Sequence, residues 1–312
     1  MQIKDGLRIV GTGHYTPSNV VTNDDLSKIV ETSDEWITQR TGIRRRHFIT
    51  DEKNQDMAIA AAKMAIENAG ISKEDLGVCI VATVRPDNFT PSVSCMVQKY
   101  LELPNDMPCF DINAACSGFM YGIQIARGLL IQNDKKYGLV IGSETLSRML
   151  DMTDRGSCIL FGDGAGAAVI ELSDNKYYSV LGTKGHEEAI VCSVEAGEHL
   201  SMHGSDVFKF AVSTVPRTIN QLLEMAKITA DDIDLYICHQ ANLRIIESVA
   251  KKIKQDIGKF YVNLDEYGNT SSASIPIALS EMNQKGIIKP GMKTICVGFG
   301  SGLTWGGAYI EW

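Results

Sequence analysis

Residues 57–69 (MAIAAAKMAIENA) and 213–227 (STVPRTINQLLEMAK) set apolar side chains at helical spacing, so each predicts a helix with one buried face. Each leads into a charged turn and an apolar run, ISKEDLGVCI at 71–80 and ITADDIDLYI at 228–237, which reads as a buried strand. Two more echoes follow in the same order: YGLVIG (137–142) with KTICVG (293–298), and GAAVIEL (166–172) with GGAYIEW (306–312). Three matches in one order predict duplication of a single α/β unit. Strand-like runs alternating with helical ones predict mixed or parallel sheets covered by helices, with the last two strands of each half hairpin-like and antiparallel. The polar stretch SDNKYY (173–178) marks the boundary, giving halves 1–172 and 173–312. Insertions at 22–53 and 148–162 break the symmetry and read as substrate-contacting segments on a rigid scaffold.

The stretch MPCFDINAACSGFMYGIQIARGLL (107–130) predicts a buried strand over 108–112, a tight turn of small residues, and a helix from about Ser117. Cys116 falls where strand gives way to helix. Unpaired N–H groups and the positive end of the helix dipole favour thiolate there, and Ala114, Ala115 and Gly118 leave room for a substrate carbonyl. Taken alone, such a cysteine is as readily a small buried hydrophobe. His239, directly after the apolar run 235–238, and Asn269, in the turn EYGNTSSAS (266–274), are by themselves most simply a structural histidine and a turn residue. The duplication changes their weight, because Cys116 and His239 follow strands of opposite halves and can open into one crevice. A Cys, a His and an amide at such ends form a thioester-handling site. The Gly-rich stretch GFGSGLTWG (298–306) reads as a loop between two strands.

Composition narrows the classes. With 312 residues, 44% hydrophobic and 22% charged, the chain is of ordinary globular type. Its eight cysteines occur singly, without zinc spacing, and read as reduced thiols in the cytoplasm. The N-terminal MQIKDGLRIVG lacks a signal core, and no run reaches the ~18 apolar residues of a membrane span. A net charge of −8 disfavours general nucleic-acid binding. FGDGAGAAV (161–169) lacks the GK[ST] of a phosphate loop, and His186 has no second histidine at metal-binding spacing, so no metal site is expected.

Six stretches together carry a family resemblance: TSDEWITQRTGIRRR (32–46), DINAACSGF (111–119), TDRGSCILFGDGAGAAV (153–169), HQANLRI (239–245), YGNTSSAS (267–274) and FGSGLTWG (299–306). Nearly end to end, the chain resembles the thiolase superfamily and, within it, the 3-oxoacyl-acyl-carrier-protein synthase III family. The resemblance implies a thiolase-like α/β fold, two duplicated halves in a five-layered αβαβα arrangement. It implies a catalytic set of Cys116, His239 and Asn269, with the backbone N–H groups of Cys116 and Ser301 as oxyanion hole. Glycine is frequent in the family where this chain has Ser301, and serine keeps the donor provided φ is not strongly positive.

The same resemblance implies coenzyme A contacts at Thr32, Trp36, Arg40 and Arg155, with adenine held between Trp36 and Arg155; indole and guanidinium planes both stack on a purine. It implies an acyl pocket or tunnel at Thr90, Phe208 and Phe299, with Thr90 aligned to a position that reaches into a partner subunit's pocket, hence a homodimer. A carrier protein would dock at Lys209, Arg244, Lys251 and Lys252, the last three also sharing one face at helical spacing. The implied reaction is decarboxylative condensation of a short acyl-CoA with malonyl-acyl-carrier protein, initiating fatty-acid synthesis, with no cofactor beyond coenzyme A as part of a substrate. A synthase III-like condensing enzyme of a polyketide, signalling-molecule or other secondary pathway, a plain acyltransferase or thioesterase, and a non-catalytic carrier-binding homologue are the alternatives.

Overall fold

Alternation along single strands shows how the molecule is layered. On Leu76–Ala82, Val78 and Ile80 pack with Phe119 and Ile123, whereas Cys79 and Val81 pack with Met57 and Ala61 on the other side. Every residue of that strand is buried, as a sheet covered on both faces requires. The computed structural model describes residues 5–193 and 199–312; residues 1–4, the start of the stretch read above for a signal sequence, lie outside it.

The first sheet contains β1 (Gly6–Tyr15), β2 (Leu76–Ala82), β3 (Cys109–Ile112), β4 (Tyr137–Glu144) and β5 (Gly164–Ser173), in spatial order β1-β5-β4-β2-β3. The second contains β6 (Tyr177–His186), β7 (Leu235–Cys238), β8 (Lys293–Gly300) and β9 (Gly302–Glu311), in order β7-β8-β9-β6. β2 runs parallel to β3 and β4, and β7 parallel to β8; the pairs β4/β5, β5/β1, β8/β9 and β9/β6 are antiparallel. Each sequence echo thus lands on equivalent strands: β2 with β7, β4 with β8, β5 with β9. The counterpart of β3 is reduced to an isolated bridge between Tyr236 and Phe260. β5 and β6, on either side of the polar stretch 173–178, belong to different sheets.

Helices α1 (Asp34–Thr41), α2 (Asn54–Ala69), α3 (Val93–Leu101), α4 (Gly118–Asn133), α5 (Gly204–Ala226), α6 (Leu243–Lys252) and α7 (Ser274–Gln284) supply the remaining layers. α2 and α3 cover the outer face of the first sheet, and α5 and α6 that of the second. α4 and α7 lie between the sheets, their Phe119, Ile123, Ala278 and Met282 touching both through Ile80, Ile170, Cys296 and Ile310. The result is the five-layered αβαβα arrangement.

Three local expectations are corrected. The antiparallel pair β4/β5 is not a hairpin; residues 145–163 intervene and build part of the site. The glycine-rich stretch 298–306 is strand except at Ser301, the tip of a tight β8–β9 hairpin. Helix α5 also begins well before residue 213, at Gly204, and carries Pro216 inside it.

Candidate active site

Strand β3 ends at Ile112, and the chain turns through Ala115, whose φ of 47° is left-handed and uncommon for a residue with a Cβ. Asn113 Oδ1 accepts the Ala115 N–H at 3.1 Å. One 3₁₀ turn, Ala115–Ser117, then opens into α4, with Cys116 at its centre. The hairpin tip lies directly against this turn: a Cβ at Gly300 would stand 2.7 Å from Cys116 N and 2.9 Å from Cys116 Cβ. Only glycine permits that approach. Thr304 Oγ1 ties tip to turn, 2.9 Å from Ala114 O and 3.0 Å from Ser301 O, with Ser117 Oγ 2.8 Å away.

His239 follows β7, its N–H on Val297 O at 2.9 Å. Its Nδ1 lies 2.7 Å from Ser274 Oγ, so Nε2 is the ring nitrogen left for a ligand. Phe299 meets the imidazole edge to face at 5.2 Å. Burial among apolar groups pushes the His239 pKa down to about 3, so the ring is neutral. Asn269 is fixed at three points: its N–H on Leu160 O at 2.8 Å, its carbonyl accepting from Gly162 N at 3.0 Å, and its Oδ1 accepting from Ser271 N at 2.9 Å. With Oδ1 engaged, Nδ2 is the end of the amide left for substrate.

Cys116, His239, Asn269, Phe299 and Ser301 line one cavity of about 710 Å³. Its walls are mostly apolar and come from the segment 145–163 (Leu146, Met149, Leu160, Phe161), from α5 (Val207, Phe208) and from α6 (Ile245). Such a cavity accepts an acyl chain and excludes water around a thioester.

The structure corrects the thiolate expectation. Burial pushes the Cys116 thiol up to about 12, a hydrogen bond with Ser271 opposing and the Glu144 charge reinforcing the shift. Helix-start geometry is present, and desolvation opposes it. Ser301 has no positive φ, so its N–H remains available at the tip, while its Oγ donates to Ile190 O at 2.8 Å.

The residues expected to contact the nucleotide gather on the insertions. Ser33 Oγ caps α1 by accepting the Trp36 N–H at 3.1 Å, and Gly42 ends the helix at a φ of 84°. Thr32 Oγ1 is buried and has no hydrogen-bond partner among the described residues. The expected slot between Trp36 and Arg155 is closed: the Arg155 guanidinium lies 4.7 Å from the indole centroid and donates to Glu31 O at 3.0 Å, with Arg40 at 5.5 Å from the same ring. A purine there must displace Arg155.

Thr90 is exposed and does not line this chain's own cavity; the neighbouring Phe89, 93% exposed, does. Arg244 stands 5.8 Å over the Phe208 ring, close to the cavity lining. Lys251 is exposed, whereas Lys252 donates to Val212 O at 2.7 Å and Lys209 pairs with Asp206 at 3.6 Å. Sequence reasoning missed Glu144, Ser271 and Thr304. Glu144 closes the run YGLVIGSE as its one charge, a signal that was readable; the two hydroxyls carried none.

The description 3-Oxoacyl-[acyl-carrier-protein (ACP)] synthase III matches residues 110–188, and that of the C terminal region of the same family matches residues 223–312. The Beta-ketoacyl-[acyl-carrier-protein] synthase III of Clostridium acetobutylicum is 44% identical across 99% of this chain and 99% of its own. That of Clostridium botulinum is 48% identical across 98% of each. The solved 3-oxoacyl-[acyl-carrier-protein] synthase III from Aquifex aeolicus superposes with a TM-score of 0.94 at 42% identity, covering 98% of this chain and 100% of that one.

Proposed function

Because the chain belongs to the 3-oxoacyl-[acyl-carrier-protein] synthase III family of condensing acyltransferases, we propose that it joins a short acyl-CoA to malonyl-acyl-carrier protein. The products are 3-oxoacyl-acyl-carrier protein, coenzyme A and carbon dioxide, in the first condensation of fatty-acid synthesis. The observation that carries this reading is the convergence of Cys116, His239 Nε2 and Asn269 Nδ2 on one apolar cavity, with the Gly300–Ser301 tip against the cysteine.

In the first half-reaction Cys116 attacks the thioester carbon, and the N–H groups of Cys116 and Ser301 take the charge that develops on oxygen. Coenzyme A leaves, and the malonyl thioester enters the same cavity. His239 and Asn269 then donate to its carbonyl, so that loss of carbon dioxide places enolate charge between two donors. The Ser274 contact supports the donor role: Ser274 Oγ accepts the Gln240 N–H at 3.4 Å and has its own proton for Nδ1, which leaves the ring proton on Nε2. The edge of Phe299 keeps water from the carbanion, which attacks the acyl group on Cys116.

Thr32, Trp36, Arg40 and Arg155 hold the nucleotide end of the donor, and Arg244, Lys209, Lys251 and Lys252 the acidic carrier. The edge position of β3 in its sheet supports a homodimer in which Thr90 faces the partner. Among the described residues no helix is long and apolar enough to cross a membrane.

Intact-mass measurement after incubation with acetyl-, butyryl- and isobutyryl-CoA tests the first half-reaction, with acyl mass expected on Cys116. Carbon dioxide release from malonyl-carrier tests the second. Asn269→Ala is expected to lose ~10²–10³ in that release, the usual cost of one oxyanion donor. Full activity in that variant would return Asn269 to the role of a turn residue.

A further inference from the structure

Arg46 enters none of these steps, yet it is fully buried, on the short strand Arg45–Phe48 of the first insertion. Burial lowers its pKa to about 10, so the guanidinium stays charged at neutral pH. Its hydrogen bonds go to neutral oxygens: Nη1 donates to Asn23 Oδ1 at 2.9 Å and to Val21 O at 3.2 Å, and Nη2 donates to Ile159 O at 2.7 Å. Nε has no partner among the described residues. An apolar side chain would fill this space without desolvating a cation; what the guanidinium adds is the direction of its bonds.

Those bonds join the two insertions, and each end leads to a functional group. On one side Asn23 Nδ2 donates to Asp34 Oδ1 and to Ile43 O, both at 2.8 Å, which ties down the start of α1 and the turn beyond its end. On the other side Leu160, next to Ile159, accepts the Asn269 N–H at 2.8 Å, and Gly162 N–H donates to the Asn269 carbonyl at 3.0 Å. The arginine stem lies against the same loop, since a Cβ at Gly162 or at Gly268 would stand 3.2 Å from Arg46 Cβ. Its neighbours extend the contact: Arg44 N–H donates to Asp265 O at 3.0 Å, Arg45 pairs with Glu266 at 3.1 Å, and Asp163 N–H donates to His47 O at 2.8 Å. The backbone on either side of the catalytic amide thus rests on one side chain.

Building on the condensing reaction above, we propose that Arg46 is the positioning residue of Asn269. It touches no substrate. Nη2 sets Ile159, and with it the Leu160 carbonyl that receives the Asn269 N–H, while the stem sets Gly162 and Gly268. Together they fix the point from which Asn269 Nδ2 donates to the malonyl thioester. The first half-reaction does not use that amide, so loss of Arg46 falls on decarboxylation. Misplacing a group by about 1 Å costs up to ~10² in rate.

The test is a double-mutant cycle read as carbon dioxide release from malonyl-carrier by wild type, Arg46→Lys, Asn269→Ala and the double variant. Each preparation is normalised to working sites by its acyl mass after saturating acetyl-, butyryl- and isobutyryl-CoA. Lysine keeps the stem and the charge but lacks the planar fork that spans Asn23 and Ile159. Arg46→Lys should lower kcat ~10-fold with the KM for malonyl-carrier unchanged. In the Asn269→Ala background the same substitution should cost no more than about twofold, because Arg46 then has no amide to place. Losses that multiply would make Arg46 a general brace and overturn the proposal, as would full release by Arg46→Lys. Should Arg46→Lys fail to fold, Asn23→Ser completes the cycle: it withdraws one acceptor from the guanidinium, and its loss must likewise vanish without Asn269. Absence of carbon dioxide release in wild type would instead count against the condensing reading, so the two failures are told apart.

Discussion

The two helices between the sheets begin alike and end up with opposite tasks. α4 and α7 each follow a left-handed residue, Ala115 at φ 47° and Ser271 at φ 50°, and each opens through one 3₁₀ turn. Cys116 and Ser272 occupy the same place in those turns. The neighbouring strands confirm the match: a Cβ at Gly298 of β8 would meet Cys116 O at 3.1 Å, and one at the equivalent Gly142 of β4 would meet Ser272 O at 2.3 Å. Two residues further on, the strands differ. β8 has Gly300, which lets the hairpin tip close on the cysteine; β4 has Glu144, which fills that space with a carboxylate. A duplicated backbone thus presents a cavity-lining thiol at one helix start and a serine bound to a buried carboxylate at the other, and the choice is made by the strand beside each turn.

Removing the nucleophile is the largest expected effect. Cys116→Ala should abolish the acyl-enzyme completely while still releasing carbon dioxide from malonyl-carrier, because His239 and Asn269 remain. Adding Ser272→Cys to that variant should restore no acyl mass: the Ser272 side chain points to Ala82 O at 2.9 Å and to Glu144, away from the cavity. Acylation at the new thiol would break the comparison.

Protonation of His239 comes next. Its folded pKa near 3 lies below its ordinary 6.5, so between these values the unfolded chain binds a proton that the folded chain refuses. Stability is full above pH 6.5 and is lost as pH falls toward 3. Glu144 works the other way: its folded pKa of about 7 stands above 4.5, and its contribution is lost as pH rises through 7. Measuring urea unfolding of wild type and His239→Gln between pH 6.5 and 4.5 isolates the histidine. The variant should be spared roughly 2 kcal/mol of the wild-type loss, since at pH 6.5 the unfolded imidazole is already half protonated. Parallel curves would mean that the imidazole is not desolvated.

Crowding the glycine tests the other side of the comparison. Gly300→Ala puts a Cβ against Cys116 N, and the tip must retreat. The expected result is a ~10²-fold loss of acylation from a displaced oxyanion donor and about 1–3 kcal/mol of stability. Unimpaired acylation would show that the tip does not build the hole.

Much of this was legible before any coordinate. The echoes 71–80/228–237, 137–142/293–298 and 166–172/306–312 predicted paired strands because a buried strand must be apolar along its length, and that constraint leaves a pattern. Cys116, His239 and Asn269 were legible because they follow strands or open helices, where side chains escape the core. Glu144 was overlooked because its role depends on Ser271 and Ser272, far along the chain; only folding brings them within 2.9 Å and 2.7 Å. The thiolate reading failed for a related reason. A helix start can be read from local residues, but desolvation depends on the walls of the cavity, which come from segments remote in sequence.

The smallest expected effect lies in the insertions, which only the first half possesses. An adenine stacked on Trp36 would contribute about 1–3 kcal/mol, as base–aromatic stacking does. In the structure, however, Arg155 already lies 4.7 Å from that ring. Opening it gives up a cation–π contact worth roughly 0.5–1 kcal/mol at a partly exposed site. The net gain is the difference, so Trp36→Ala should raise the KM for acyl-CoA only about three- to tenfold. Acylation from an acyl-pantetheine donor, which lacks adenine, should not change. Arg155→Ala separates the contributions further: it loses one stacking partner but frees the indole, so its effect should be smaller than that of Trp36→Ala. Comparing KM for the two donors across the two variants reads both terms. Equal losses with both donors would remove the adenine contact, and a larger effect from Arg155→Ala would mean that the arginine, rather than the indole, is the principal hold on the nucleotide.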